Sequence, residues 1–249
     1  MTDRNRFGLR HQPPSTVRRT VRQRCGFGCV ICGFAFYDFE HFEPDFADAE
    51  QHLAEGITLL CMQCNQKRAR GRLSRETVAR ANATPKCHEQ GFANEFFDYG
   101  NRWMEVAIGG ASFIECQNAI EINGFPILSV QPPTEEGQPF LVSGMFADKM
   151  GDITMRIKDN ELSVGADNWD VEWQGPRVTI RSGPGDVSLV MRTEPQHRLV
   201  VERINMSFEG ASIRGDESIL QVSADGRGWN TFQAMSARSC RTGISLTNR

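Results

Sequence analysis

Short apolar runs separated by turn residues fill the C-terminal part of the chain. The run at 119–122 interleaves apolar residues with Glu121, and Asn123-Gly124 follows it directly. Similar runs recur at intervals of about ten residues, which is typical of antiparallel strands joined by tight turns. They have no fixed repeat length, so a sandwich-like domain is favoured over a regular β-solenoid. We therefore predict a mainly antiparallel all-β domain over residues 91–249.

The N-terminal third has a different pattern, with helical spacing and two short strands. Apolar residues four positions apart after Ser15 predict a helix that begins there. Ser74 is a good helix N-cap and predicts a second helix. Residues 35–41 and 57–60 predict the two strands of a hairpin. Together with the β-rich remainder, these elements predict the α+β fold class.

Composition shifts along the chain predict the domain boundaries. Residues 1–14 are polar and basic and end in two prolines, which predicts a flexible N-terminal arm. Pro85 closes the helical region, and an aromatic-rich link begins near residue 91. We predict a small domain over residues 15–90, followed by the β domain.

Two Cys-x-x-Cys pairs add candidate chemistry to the small domain. Each pair can present two sulfurs to one ion through a tight turn, and four thiolates form a closed tetrahedral zinc site. Such a site is structural, because no ligand position is left for water. The chain has eight cysteines, and the four that we assign to Zn²⁺ are Cys29, Cys32, Cys61 and Cys64.

The expected compartment supports metal binding over disulfides. The N-terminus lacks the apolar core of a signal peptide, and no apolar run is long enough to span a bilayer. We therefore expect a cytoplasmic protein with no membrane partner, where paired cysteines favour metal. The other four cysteines have no ligand spacing and are expected to be ordinary free thiols: Cys25, Cys87, Cys116 and Cys240.

An acid–histidine pair lies inside the zinc loop. The 28 residues between Cys32 and Cys61 exceed the spacing of a plain zinc ribbon, so a further structure is expected there. Glu40-His41 is the only such pair in this region, with Pro44 close behind, and Asn65 directly follows the last cysteine of the cluster.

These residues, in this order, resemble the HNH endonuclease family over about residues 13–82. The resemblance implies a ββα-metal fold braced by the four-cysteine zinc. It also implies that His41 is the general base and that Glu40 and Asn65 bind a catalytic Mg²⁺ or Mn²⁺. The expected activity is hydrolysis of DNA phosphodiester bonds, in prokaryotic (for example antiviral) defence, a mobile element or DNA processing.

Charge is unevenly distributed in a way that suits a DNA partner. The net charge is −3, yet residues 1–90 carry 14 basic and 10 acidic side chains, and residues 91–249 carry 14 and 21. Basic clusters near the motif favour contact with phosphates. The residues expected to bind DNA are Arg18, Arg19, Arg22, Lys67, Arg68, Arg70 and Arg72.

Two alternatives stay open at this point. Thr58 or a neighbour stands where the family has its middle Asn, and Glu40 replaces the more usual Asp, so a catalytically inactive zinc-stapled DNA-binding or scaffold protein is the second hypothesis. His52 is expected to be a non-ligand. The β domain is expected to serve homodimerisation or to sense a protein or small-molecule regulator.

Overall fold

The structure is a computed structural model that describes residues 4–97, 99–194 and 197–248. The chain forms two compact units. The first contains the residues up to Glu95 together with Val164–Asp170, and the second contains Phe96–Ser163 and the chain from Val171 onward. Residues 164–170, which the strand pattern assigns to the β domain, therefore pack with the first unit.

The helices and the hairpin of the first unit form where capping and spacing favour them. Gly26 ends the first helix in the left-handed conformation, with φ of 69°, and Ser74 caps the third by accepting from the amide of Thr77. The helices are α1 (Ser15–Cys25), α2 (Met62–Ala69), α3 (Arg75–Ala83) and α4 (Lys86–Gln90), and the strands are β1 (Asp38–His41), β2 (Ile57–Leu60) and β3 (Phe92–Phe96).

An apolar core joins α1 to the hairpin. Val21 of α1 is fully buried and packs in one cluster with Val30 and with Leu59 of β2. β1 and β2 are antiparallel, and Glu40 lies opposite Thr58 in their register. Three of the four predicted zinc ligands, Cys29, Cys61 and Cys64, belong to the same buried cluster, and Cys32 is exposed. The hairpin and the ends of α1 and α2 therefore pack around the three buried cysteines.

A buried ion pair attaches residues 164–170 to this unit. Nε and Nη2 of Arg22 each donate to a carboxylate oxygen of Asp170 over 2.9 Å. Both side chains are at most 4% exposed. Such a bidentate pair is stable only where both charges are satisfied, and it fixes α1 against residues 164–170.

The second unit consists of β structure, as the alternation predicts. Most neighbours in its sheets are antiparallel, and β4, β5 and β6 make parallel pairs with β14, β18 and β19. The strands are β4 (Glu105–Ile108), β5 (Ala111–Ile114), β6 (Asn118–Ile122), β7 (Phe125–Gln131), β8 (Leu141–Ala147), β9 (Ile153–Lys158), β10 (Glu161–Gly165), β11 (Asp170–Gln174), β12 (Arg177–Gly183), β13 (Asp186–Glu194), β14 (Arg198–Phe208), β15 (Ala211–Gly215), β16 (Leu220–Ser223), β17 (Asn230–Phe232), β18 (Met235–Arg238) and β19 (Thr242–Leu246).

Two sheets make up this unit. One has the strand order β19-β6-β7-β8-β9-β10, and the other has the order β11-β12-β13-β14-β15-β16-β17 with β4 beside β14. β8 of the first sheet contacts β14 of the second, and their inward residues, such as Phe146 and Met206, are buried. The longest helix of the described ranges, α1, has 11 residues, and no described helix has the length and apolar character of a bilayer span.

Candidate functional site

The four cysteines of the two Cys-x-x-Cys pairs lie close together, as their spacing predicts. Their sulfurs all lie within 4.8 Å of one another. Sγ of Cys32 is 3.7 Å from Sγ of Cys61 and 3.9 Å from Sγ of Cys64. Tetrahedral zinc with Zn–S bonds of about 2.3 Å requires sulfurs about 3.8 Å apart. The cluster therefore fits one Zn²⁺ ion.

The electrostatics of these thiols also call for a cation. A hydrogen bond from Cys32 lowers the pKa of Cys29 to about 5. The same hydrogen bond raises the pKa of Cys32, and burial raises that of Cys64 to about 12. Ionisation of one thiol thus raises the pKa of its neighbours. A bound divalent ion allows all four cysteines to be thiolates at the same time.

The cysteine cluster places Asn65 beside Glu40. Cys61 is the N-cap of α2, and its sulfur accepts from the amide of Cys64, so Asn65 lies in the first turn of that helix. Its Nδ2 donates to Oε1 of Glu40 on β1. Burial raises the pKa of Glu40, and the charge of Arg68 opposes that shift. The two side chains supply the hard oxygen donors that Mg²⁺ and Mn²⁺ prefer.

His41 ends the same strand, and its ring lies in a largely buried position. The residue is 6% exposed, and its ring centroid is 5.3 Å from that of Phe46. Burial lowers the pKa of His41 to about 4, and the charges of His52 and His11 act in the same direction. The imidazole is therefore neutral at pH 7 and has a lone pair available to accept a proton.

A second histidine contacts His41 directly. Nδ1 of His52 is 3.1 Å from Nε2 of His41, and the ring centroids are 5.1 Å apart. Among the described residues, this is the one hydrogen-bond partner of the His41 ring. The sequence prediction of His52 as a non-ligand left out this contact. His11 stacks edge-on against Phe46 at 4.8 Å and adds a third imidazole near the site.

The loop between β1 and β2 carries His52 to this position. The amides of Phe42 and Glu43 both donate to the carbonyl of Gly56. A Cβ at Gly56 would lie 1.9 Å from the carbonyl oxygen of Glu43, so only glycine allows the two ends of the loop to approach this closely. With its ends so joined, the loop folds back and places His52 beside β1.

Thr58, which the family resemblance sets at the position of the middle Asn, lies opposite Glu40 in the hairpin. It is fully buried, and its hydroxyl lies 4.0 Å from Sγ of Cys25. The side chain that contacts His41 is His52, which lies six positions before Thr58 and differs from it in residue type. The spacing of His52 and His41 in the sequence does not predict their contact, because the contact depends on the path of the loop between β1 and β2.

The predicted DNA-binding residues fall into two groups. Arg22 is buried and bonded to Asp170, so its side chain is not available to phosphates and the prediction is corrected for this residue. Arg19 lies 3.5 Å from Asp170 and stacks over Trp169 at 4.7 Å. Arg18 is half-buried, and exposed side chains on α2 and just after it are Lys67, Arg70 and Arg72.

The side chain of Arg68 contacts other residues of the protein instead of facing solvent. It donates to the carbonyl of His41 over 3.0 Å and pairs with Asp45, and its Nη1 is 3.9 Å from Glu40. Its guanidinium therefore links α2 to β1 and to the loop, next to the proposed metal ligands.

Known proteins offer no further guidance on this site. No protein-family model, curated protein or solved structure matches the chain.

Proposed function

We propose that this protein is a metal-dependent endonuclease of the HNH type that hydrolyses DNA phosphodiester bonds. The observation that carries the proposal is the contact between Asn65 and Glu40. It joins two oxygen-donor side chains from α2 and β1, and His41 follows Glu40 directly in the chain. Hydrolysis of a phosphodiester requires a base for the water, and charge neutralisation at the phosphate.

His41 is the general base in this proposal. Because its pKa lies at about 4, the ring is neutral at physiological pH and accepts the proton of a water molecule. The ring contacts Phe46 and His52, and such contacts favour a fixed orientation for proton transfer.

Glu40 and Asn65 would hold the catalytic Mg²⁺ or Mn²⁺. When bound, such an ion supplies a positive charge that stabilises the phosphate oxygens and the leaving oxygen. The protein offers two ligands of the correct type, which suits Mg²⁺ because that ion retains several waters. The cysteine cluster is purely structural in this proposal, since its four sulfurs complete the coordination of zinc.

The exposed basic residues of α2 and the turn after it are the proposed phosphate contacts. Lys67, Arg70 and Arg72 are exposed, and each phosphate contact contributes to a salt-dependent affinity. A single site cuts one strand, so double-strand cleavage would require a homodimer or two successive events. We place the protein in the cytoplasm, with the β unit as the candidate for dimerisation or regulator binding.

A zinc-stapled DNA-binding or scaffold protein without catalysis is the second candidate. Arg68 favours it, because its guanidinium lies 3.9 Å from Glu40 and offsets the carboxylate charge that would otherwise attract a metal ion. In that case the contacts of Arg68 with Asp45 and with the His41 carbonyl serve stability alone.

Nicking of supercoiled plasmid separates these two candidates. The full chain is incubated with Mg²⁺ or Mn²⁺ and compared with Glu40→Ala and with Glu89→Ala, an exposed carboxylate on α4, as the matched control. Metal-dependent nicking that is lost in Glu40→Ala and kept in Glu89→Ala supports the nuclease. DNA binding without nicking by the wild-type protein supports the scaffold.

A further inference from the structure

The pair formed by His41 and His52 has a consequence for the proposed reaction. Resting on the nuclease function proposed above, we infer that His52 is a positioning residue. It holds His41 in the tautomer whose Nε2 carries the proton, so that Nδ1 of His41 is the atom that accepts the proton of water. Nδ1 of His52 and Nε2 of His41 lie 3.1 Å apart.

Two ring nitrogens at this distance share one hydrogen bond, so one nitrogen must carry a proton and the other must not. A neutral imidazole has one N–H and one lone pair, and protonating one nitrogen therefore defines the other. As a result, the tautomers of His41 and His52 are linked: once one ring is assigned, so is the other.

The proposed role of His41 assigns the proton. Nε2 of His41 faces His52, so Nδ1 is the ring nitrogen left to accept a proton from water. A neutral imidazole whose Nδ1 is unprotonated carries its proton on Nε2. Nε2 of His41 therefore donates, and Nδ1 of His52 accepts.

The N-terminal segment packs against the loop that carries His52. Nδ2 of Asn5 donates to the carbonyls of Phe46 and Ala49, each over 2.7 Å. Arg4 and Arg10 form an isolated antiparallel bridge, and the ring of His11 packs on Phe46. Residues 4–11, which the sequence predicts to be a flexible arm, therefore contact the loop that carries His52.

In the proposed step, one proton moves from water to His41. An O–H bond of water breaks and an N–H bond forms at Nδ1 of His41, while the hydroxide oxygen forms its bond to phosphorus as the leaving oxygen departs. His41 then carries two N–H groups, and its Nε2–H remains bonded to His52. The lone pair of His52 thus stabilises the imidazolium that forms.

Histidine tautomers can be observed without any cleavage. In the ¹⁵N-labelled, zinc-loaded full chain at pH 7, long-range ¹H–¹⁵N spectra distinguish a ring nitrogen with a proton from one without. We expect His41 and His52 both to be Nε2-protonated. A wild-type protein in which Nδ1 of His41 carries the proton would overturn the inference, whether or not the protein cuts DNA.

Plasmid nicking tests the consequence for rate. His52→Ala should lower kcat about tenfold to a hundredfold with little change in KM, as is common for residues that orient a catalytic group. His52→Asn should recover most of the rate, because its Oδ1 can accept from Nε2 of His41 where Nδ1 did. His88→Ala is the matched control, since that exposed histidine on α4 bonds to backbone carbonyls of α1.

The two variants keep the test decisive if one of them is unstable. Zinc content and circular dichroism identify a His52→Ala protein that has lost its fold, and His52→Asn then decides. A kcat of His52→Ala near that of the wild type, or a folded His52→Asn as slow as the alanine variant, would overturn the inference. If the wild-type protein does not nick DNA at all, the nuclease proposal fails, and the tautomers still decide the role of His52.

Discussion

Arg22 and Asp170 form a buried, bidentate ion pair although 148 residues separate them. The predicted role of Arg22 was DNA binding, and the structure instead assigns it to the interior. The sequence pattern does not predict the burial of Arg22, because its partner Asp170 lies far along the chain. In α1, Arg22 directly follows the buried Val21.

Loss of this pair should destabilise the first unit strongly. Asp170→Asn leaves the Arg22 charge buried without a counter-ion, and we expect a loss of about 3 kcal/mol or more in the free energy of unfolding. Urea denaturation of the zinc-loaded protein measures it. Glu89→Gln is the control, because its pair with Lys86 is exposed on both sides and should contribute less than about 1 kcal/mol. Equal losses in the two variants would contradict a buried, charged pair.

Zinc should be required for the fold of the first unit alone. We expect about one zinc per chain by mass spectrometry of metals, and Cys64→Ser should lower that content and unfold the hairpin region. Cys240→Ser is the matched control, because Cys240 lies outside the cluster and should leave the zinc content unchanged. A Cys64→Ser protein that keeps its zinc would contradict the four-thiolate site.

The low pKa of His41 should appear in the acid stability of the protein. The folded ring titrates at about 4, below its ordinary value of 6.5. The unfolded state therefore binds more protons between these values, and stability should fall as the pH drops from about 6.5 to about 4, by roughly 3 kcal/mol.

Comparison with His41→Gln isolates that contribution. Both proteins lose stability in acid as zinc is released, so the difference between their unfolding free energies, measured from pH 4 to pH 8, reports on His41. We expect the wild type to lose more than the variant below pH 6.5. Parallel curves would show that His41 titrates alike in the folded and unfolded chain.

Cys116 and Cys240 should form a disulfide under oxidation. Both are free thiols, as the sequence predicts, and their sulfurs lie 2.8 Å apart. The residues before them, Glu115 and Ser239, have φ of 55° and 51°, and the Ser239 hydroxyl donates to the Glu115 carboxylate over 2.6 Å. These contacts hold the two thiols together at the ends of β5 and β18.

An added oxidant such as diamide should convert this pair. Two S–H bonds are lost, one S–S bond forms, and the two electrons and two protons pass to diamide. Peptide mass spectrometry after digestion should find Cys116 linked to Cys240, while the buried Cys87 stays reduced. Because the closed loop would span more than 100 residues, the link should stabilise the second unit by up to about 4 kcal/mol. Oxidation of Cys87 with the pair left reduced would contradict the pairing.

Local patterns in the sequence account for the zinc cluster and most strands. The Cys-x-x-Cys spacing acts within one turn, so the meeting of Cys29 with Cys32 and of Cys61 with Cys64 follows from nearby residues. Alternation likewise predicts strands such as β6 and β9, because one face of each is buried. Register and parallel pairing, as between β5 and β18, depend on distant strands and were not predicted.

The contacts around His41 depend on distant parts of the chain. Glu40 and Asn65 were expected together because the family resemblance implies that both bind one metal ion, and the structure brings them into contact. The contact of His52 could not be predicted, because its place depends on the close approach of Gly56 to Glu43 and on Asn5. Such approaches leave no periodic signal in the sequence.

The most direct test of the nuclease account is the rate of single-turnover plasmid nicking by His41→Ala in Mn²⁺. The variant should retain its zinc and its DNA affinity, because neither the cysteine cluster nor the exposed basic residues include His41. With the general base removed, we expect the nicking rate to fall by about 10²-fold or more. A zinc-loaded, folded His41→Ala protein that nicks DNA as fast as the wild type would contradict the account.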